Sequence, residues 1–109
     1  DVAVAAGIDG LIATNTTLDR GIVSPAALPK VEAWGAGGLS GRALRPQATE
    51  VQRRLLARLA GRLPLIACGG ISGPEDAQEA LADGAALIQI YSALIFEGPS
   101  LPGRILKAL

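Results

Sequence analysis

Residues 63–92, LPLIACGGISGPEDAQEALADGAALIQIYS, decide the fold of this chain. The apolar run 63–68 is followed by two glycines and has the length of a buried strand. Pro74, the two acidic residues after it and Gly84 predict a helix, because proline and acids suit the first helical turn and glycine suits the end. Residues 85–91 are apolar again and predict another strand. Two strands joined by a helix in this order predict a parallel pair.

The sequence on either side predicts one more strand and three more helices. Residues 8–14 form a short apolar run of strand length. Pro46 and Gly61 suit the two ends of a helix. The apolar residues with helical spacing on the expected core face of that helix are Val51, Leu55, Leu56 and Leu59. Ser92 is a candidate cap for a short helix, and residues 101–109 are expected to be helical.

The predicted order is strand, loop, helix, strand, helix, strand, helix, with the two C-terminal helices counted as one helical segment. Strands that are apolar throughout indicate a parallel sheet covered on both faces. The βα units have the length expected of a (β/α)8 TIM barrel, but three strands cannot close a barrel. We therefore expect an α/β fold in which residues 1–109 form a single partial domain, the C-terminal part of a TIM barrel. A doubly wound sheet is the alternative, although the chain lacks a GxGxxG fingerprint.

Composition limits the classes of function. Half of the 109 residues are hydrophobic and the formal net charge is zero, which excludes a disordered chain and a broadly basic nucleic-acid binder. The single cysteine cannot form an internal disulfide, as in cytosolic proteins. The absence of histidine removes the commonest general base and metal ligand, and no metal site is expected. The chain also lacks methionine, and residues 1–7 resemble the end of a helix, so we expect a fragment of a longer protein.

Glycines and polar residues follow two of the predicted strands. Gly69-Gly70 come directly after one strand, and Tyr91-Ser92 after the next. Because the carboxyl ends of parallel strands meet at one edge of the sheet, these residues predict a phosphate site built from backbone N–H groups. The alternative is that the two glycines only permit a tight turn.

A polar cluster, Thr14-Asn15-Thr16-Thr17, follows the first strand at the same edge. An asparagine amide beside threonine hydroxyls suits a planar ligand that carries amide groups. The alternative is an Asx or Ser/Thr turn, in which the side chains bond only to their own backbone.

Residues 21–41 are rich in glycine and proline and predict a long loop. The glycine cluster at 37–41 either cradles a phosphate or ring, or acts as a hinge. Arg42 and Arg45 follow it; they either pair with anions or, as exposed arginines usually are, are mostly solvated. Trp34 is either a lid contact or packed locally. Cys68, in an apolar strand, is expected to be a packed thiol rather than a nucleophile.

Four segments taken together resemble the dihydroorotate dehydrogenase family. They are DGLIATNTT at 9–17, GGLSG at 37–41, CGGI at 68–71 and QIYSAL at 89–94. Their order, spacing and position at strand ends all fit, and the resemblance extends over essentially the whole chain. It is greatest for the quinone-reducing class 2 branch, of which the chain would represent about the last third.

The resemblance implies a function and a role for seven residues. The family oxidises dihydroorotate to orotate in pyrimidine biosynthesis, passes a hydride to FMN and, in class 2, returns the electrons to a quinone. The FMN contacts that it implies are Thr14, Gly41, Gly70, Tyr91 and Ser92. The implied substrate contacts are Asn15 and Thr16.

Other parts of the family pattern have no counterpart in this chain. The catalytic serine, a flavin-contacting lysine and the helices that receive the quinone are expected in a missing N-terminal part, and the loop at 20–37 fits no family motif. We therefore expect no catalytic residue in this chain, and we expect the chain alone to be inactive and to bind FMN weakly or not at all. The full-length protein is expected to be a bacterial enzyme attached peripherally to the cytoplasmic side of the inner membrane. The alternatives are another FMN- or phosphate-binding TIM-barrel enzyme, or a non-catalytic half-barrel that assembles with a partner chain.

Overall fold

A computed structural model describes residues 1–109 of the chain. It contains three β-strands, six α-helices and two short 3-10 helices. The strands are β1 (Leu11–Ala13), β2 (Leu65–Cys68) and β3 (Leu87–Gln89). The helices are α1 (Val2–Ala5), α2 (Leu28–Ala33), α3 (Arg45–Leu59), α4 (Pro74–Ala82), α5 (Ser92–Glu97) and α6 (Leu101–Ala108), with 3-10 turns at Arg20–Ile22 and Arg42–Leu44. The predicted alternation of strands and helices is confirmed.

The three strands form one parallel sheet in the order β1-β2-β3. Ile12 lies beside Ile66, and Ile66 lies beside Leu87. Because all three strands run in the same direction, their carboxyl ends meet at one edge of the sheet. The peptide bond after Ala13, at the end of β1, is cis.

The helices cover only one face of this sheet. Ala13, Leu65 and Ala67 are buried on that face. On the other face, Ile12 is 63% exposed and Leu87 is 62% exposed. The prediction of a sheet covered on both faces is therefore wrong for this chain. The apolar character of the strands is still explained by a barrel, because residues that do not face the helices of a barrel point into its packed interior.

Small apolar side chains form the larger of two cores beneath the sheet. Alanines on β2, α4 and α5 let these elements approach closely, and Leu101 and Ile105 of α6 close the core from outside. The buried members of this core are Ala67, Ile71, Ala77, Ala80, Ala85, Ala93, Leu101 and Ile105. The smaller core contains Ala13, Leu59 and Leu65, and it fixes α3 against β1 and β2.

The buried face of α3 differs from the predicted one. Val51 is exposed, and Leu55 and Leu56 are only half-buried. The buried residues of α3 have helical spacing but are mostly polar or small: Arg45, Ala48, Thr49, Gln52 and Leu59. Hydrophobicity alone misplaced the face because the first half of α3 packs against the ends of strands, where backbone carbonyl groups require hydrogen-bond donors.

The predicted long loop at 21–41 contains a helix, α2, which begins beside Pro29. The Arg20 guanidinium holds this segment by donating hydrogen bonds to the carbonyl oxygens of Gly35, at 3.0 Å, and Gly37, at 2.7 Å. Trp34 is exposed, and the Lys30 ammonium lies 5.6 Å from its ring centroid, so it packs locally. None of the helices has the length and apolar character needed to cross a membrane.

Candidate active site

A cavity of about 680 Å³ lies at the carboxyl edge of the sheet, where all three strands end. Every residue to which the family-like segments assigned a ligand contact lines this one cavity: Thr14, Asn15, Thr16, Gly41, Gly70, Tyr91 and Ser92. The structure thus brings together seven residues that are spread over most of the chain. Their individual roles toward a flavin or a substrate stay predictions.

The segment after β1 is held to the end of β2. The Thr14 backbone N–H donates to the carbonyl oxygen of Cys68, and the Thr14 hydroxyl lies 3.4 Å from the same oxygen. Asn15 Oδ1 accepts a hydrogen bond from the Thr16 N–H at 2.8 Å, while its Nδ2 group makes no hydrogen bond within the chain. The Asn15 amide therefore keeps its donor group for a ligand.

Thr17 forms the side-chain turn that the alternative interpretation predicts. Its hydroxyl oxygen accepts from the Asp19 N–H at 3.1 Å, which closes a short side-chain turn. Thr17 does not line the cavity. The four residues thus divide into three that face the cavity and one that shapes the chain behind it.

The two glycines after β2 are required by packing. Gly69 has φ +122° and Gly70 has φ +71°, in the region that disfavours residues with a Cβ. A Cβ on Gly70 would lie 2.4 Å from the Arg45 backbone nitrogen, and one on Gly69 would lie 2.8 Å from the Thr14 hydroxyl oxygen. The glycines therefore allow the chain to turn tightly after β2, between α3 and the end of β1. Both glycines also line the cavity.

The glycine cluster at 37–41 lies on the segment after β1. Thr17 and Leu39 form an isolated antiparallel bridge with N···O distances of 3.0 and 2.7 Å. A Cβ on Gly38 would lie 2.0 Å from the Thr16 hydroxyl oxygen, so only glycine fits there. The bridge and this close approach hold the middle of the cluster against the segment after β1.

Hydroxyl groups join two sides of the rim. The Ser40 and Ser92 hydroxyl oxygens are 2.8 Å apart and share a hydrogen bond. Ser92 is the first residue of α5 and does not cap it through its side chain, so the predicted capping role is wrong. Its hydroxyl instead bonds across the cavity rim to the glycine-rich loop.

The charged groups at the rim are Arg42 and Glu97. Arg42 Nε donates to the Ser72 hydroxyl at 3.2 Å, and Arg42 Nη2 lies 3.8 Å from a Glu97 carboxylate oxygen. Arg42 is exposed, whereas Arg45 is buried, so the solvated alternative is wrong for Arg45. Arg45 is buried because its side chain lies between α3 and α4, where it is paired with Glu79 at 3.1 Å.

Cys68 lines the cavity as an unactivated thiol. Burial raises the pKa of the Cys68 thiol, which keeps it protonated at neutral pH. This agrees with the prediction of a packed thiol rather than a nucleophile. The chain contains no group of three or more Cys, Asp or Glu side chains placed to hold a metal ion.

A sequence model of the family described as dihydroorotate dehydrogenase matches residues 1–109. The chain belongs to the dihydroorotate dehydrogenase family. The resemblance drawn from its four sequence segments is confirmed.

Individual members of the dihydroorotate dehydrogenase family show how much of the enzyme the chain represents. It is 49% identical over 110 positions to a dihydroorotate dehydrogenase (quinone) of Nocardioides sp., which is 100% of this chain and 30% of that protein. It is 52% identical over 106 positions to that of Thermobifida fusca, 96% of this chain and 28% of that protein. The chain thus spans about 30% of the length of the curated relatives that it matches.

A solved dihydroorotate dehydrogenase has the same fold over this stretch. The crystal structure of the Eimeria tenella enzyme in complex with ferulenol matches with a TM-score of 0.85 and 36% identity, over 100% of this chain and 28% of that one. The expected fold class, part of a TIM barrel, is thereby confirmed. The bare face of the sheet is the face that would point into the interior of such a barrel.

Sequence reasoning missed Gln52 and misjudged Arg45, two polar residues beneath the cavity. Gln52 and Arg45 lie on the buried face of α3, behind the ends of β1 and β2. Their spacing of seven residues, with buried Ala48 and Thr49 between them, is helical. A search for any residue on that spacing, rather than for apolar residues, would have found them.

Proposed function

We propose that this chain forms the FMN- and dihydroorotate-binding wall of an enzyme that oxidises dihydroorotate to orotate in pyrimidine biosynthesis and passes the electrons to a quinone. The observation that carries the proposal is the convergence of seven residues on one cavity at the carboxyl edge of a parallel sheet. Membership of the dihydroorotate dehydrogenase family favours this reaction over that of another phosphate-binding barrel.

The residues of the cavity fit FMN. Its volume of about 680 Å³ is in the range of small-molecule sites. The positive-φ glycines bring backbone close to the cavity, and the Ser40 and Ser92 hydroxyls and the Arg42 guanidinium provide polar and cationic groups for a phosphate. Leu44, Ile71, Ile90 and Phe96 add apolar surface that suits a planar ring system. When bound, FMN accepts the hydride that leaves dihydroorotate.

Asn15 and Thr16 act on the substrate in this proposal. The Nδ2 group of Asn15 donates to the ring or carboxylate of dihydroorotate, and the Thr16 hydroxyl binds beside it. Because Asn15 Oδ1 is bonded to the Thr16 N–H at 2.8 Å, the direction of the amide is fixed before a ligand arrives. Holding a substrate in the reactive orientation lowers the barrier by several kcal/mol.

We assign the catalytic base and the quinone site to the part of the relatives that these 109 residues do not match. At the cavity, the Cys68 thiol is kept protonated by its raised pKa, and the Glu97 carboxylate is paired with Arg42 and Arg104. The relatives are named for a quinone, and because quinones are lipid-soluble, we propose peripheral attachment of the whole bacterial enzyme to the cytoplasmic side of the inner membrane.

The test uses a chimaera in which residues 1–109 replace the matching segment of the Thermobifida fusca relative. We expect it to bind FMN and to reduce a quinone with dihydroorotate. We expect Asn15→Ala to lower turnover about 100-fold with the flavin spectrum and content nearly unchanged, because substrate orientation is lost. Thr17→Ala is the matched control, since Thr17 lies two residues away and does not line the cavity.

Two results would contradict the proposal at different levels. A folded chimaera without FMN, or without dihydroorotate-dependent reduction of its flavin, would overturn the function. An active chimaera in which Asn15→Ala and Thr17→Ala turn over equally fast would remove Asn15 from the substrate site and leave the function intact.

A further inference from the structure

The buried polar face of α3 lies directly behind the cavity. Gln52 is only 4% exposed and Arg45 only 7% exposed, although both side chains are polar. Burial of such groups is unfavourable unless their hydrogen bonds are formed within the protein. Their contacts therefore show what keeps them there.

Gln52 joins the ends of two strands. Its Nε2 group donates one hydrogen bond to the Ala13 carbonyl oxygen, at 2.8 Å, and another to the Cys68 carbonyl oxygen, at 3.0 Å. Ala13 is the last residue of β1 and Cys68 the last residue of β2. The next residues along the chain are Thr14 and Gly69, which both line the cavity. One amide group thus bonds to the two carbonyls that immediately precede the site.

Arg45 fixes the direction of this amide. Its Nη1 group donates to Gln52 Oε1 at 3.3 Å, so both ends of the amide are bonded and its orientation is set. Its Nη2 group donates to the Asp76 carbonyl oxygen, at 3.2 Å, and to a Glu79 carboxylate oxygen, at 3.1 Å, on α4. The backbone of Arg45 also lies against Gly70.

We infer that Gln52 is a positioning residue for the proposed reaction, and that Arg45 orients it. By bonding both strand ends, Gln52 sets the separation between the segment of Thr14, Asn15 and Thr16 and the turn at Gly69-Gly70. In the proposed function, on which this inference rests, the first segment holds dihydroorotate and the second approaches FMN. Gln52 thereby sets how the substrate lies relative to the flavin without touching either.

The inference predicts a specific kinetic effect. Replacing Gln52 by leucine keeps the volume but removes both donor groups, and leaves two buried carbonyl oxygens with fewer partners. Asn15 and Thr16 would move together with β1, so substrate affinity changes little while alignment with the flavin is lost. Misplacement of reacting groups by about 1 Å lowers rates by up to about 100-fold.

The experiment compares three variants in the FMN-loaded chimaera. Gln52→Leu is expected to lower kcat about tenfold or more, with KM for dihydroorotate within about threefold. Gln52→Glu keeps the contact with Arg45 but offers no donor, so we expect the same loss of kcat with a smaller fall in Tm. Gln78→Leu is the matched control, since Gln78 also donates to a carbonyl, that of Ala108 at 2.6 Å, far from the cavity.

Visible circular dichroism of the bound flavin supplies a readout apart from turnover. We expect it to change in both Gln52 variants and to be unaltered in Gln78→Leu, because only the former shift Thr14 relative to Gly69. Loss of kcat with this change supports the inference. Unchanged kcat in Gln52→Glu, or equal losses in Gln52→Leu and Gln78→Leu, overturns it. An inactive unmodified chimaera instead overturns the proposed function and this inference with it.

Discussion

Replacing Gly70 by alanine tests whether the turn after β2 is set by packing against α3. The added Cβ would lie 2.4 Å from the Arg45 nitrogen and 2.5 Å from its Cα, distances that real Cβ contacts do not show. These atoms are backbone at the start of α3, so they cannot move aside as the end of a flexible side chain would. The turn or the helix must shift.

The size of the effect follows from two separate costs. A residue with a Cβ at φ +71° costs about 1–2 kcal/mol relative to glycine. Overpacking adds about 1–3 kcal/mol, so we expect Gly70→Ala to lower the free energy of unfolding by about 2–5 kcal/mol. Gly7→Ala is a matched control, because Gly7 has φ +69° and no atom within 4 Å of the added Cβ.

The assay is guanidinium-induced unfolding of the two chimaera variants, followed by circular dichroism, with FMN affinity measured by fluorescence. The denaturation midpoint should fall for both variants and fall further for Gly70→Ala. FMN affinity should fall only for Gly70→Ala, since Gly70 lines the cavity and Gly7 does not. Equal midpoints together with equal FMN affinities would refute the argument that Arg45 and Gly70 pack against each other at the site.

Two further predictions concern the thiol and the chain by itself. Burial raises the pKa of Cys68, so its alkylation by iodoacetamide should reach half of its maximal rate at a higher pH than that of a free cysteine. Mass spectrometry of the Cys68 peptide measures this rate. A half-maximal pH at or below that of free cysteine would contradict the assignment of a protonated, unactivated thiol. The 109-residue chain alone should bind FMN weakly or not at all, because its three strands provide only one wall of the cavity and leave Ile12 and Leu87 exposed. Fluorescence titration with size-exclusion chromatography measures this, and a monodisperse dimer that binds FMN tightly would favour the half-barrel that assembles with a partner.

The element order and the site location were predictable for related reasons. Apolar runs bounded by glycine and proline mark strands and helix ends locally, so β2, α4 and β3 could be read from residues 63–92 alone. Once the strands are parallel, their carboxyl ends share an edge. Polar residues after each strand then converge without knowledge of any long-range contact. This is why six of the seven residues, at three separate places in the sequence, could be placed at one edge, whereas Gly41 was assigned from the family resemblance.

What could not be predicted depends on contacts between distant backbone groups. In the sequence, Gln52 is simply a polar residue within a predicted helix. It is buried because its side chain donates to the carbonyl oxygens of Ala13 and Cys68, which are distant in sequence. Arg45 likewise reads as a solvated charge until α4 brings Glu79 to it. Hydrophobic periodicity identifies the face of a helix that packs on an apolar core, but it does not identify a buried face that packs on strand ends.

Hydrogen bonds on both sides of the carboxyl edge of the sheet would hold the strand ends in place at the proposed ligand site. A site that transfers a hydride needs substrate and flavin aligned within fractions of an ångström, whereas the three strands that carry these residues pair over only three positions on each side of β2. So short a ladder fixes the strand ends weakly. Hydrogen bonds beyond the ladder supply the missing constraint: Gln52 behind the edge, Thr14 to Cys68 within it, and Ser40 to Ser92 in front of it. In the proposed function, these polar contacts are what would hold two ligands in register on a short parallel sheet.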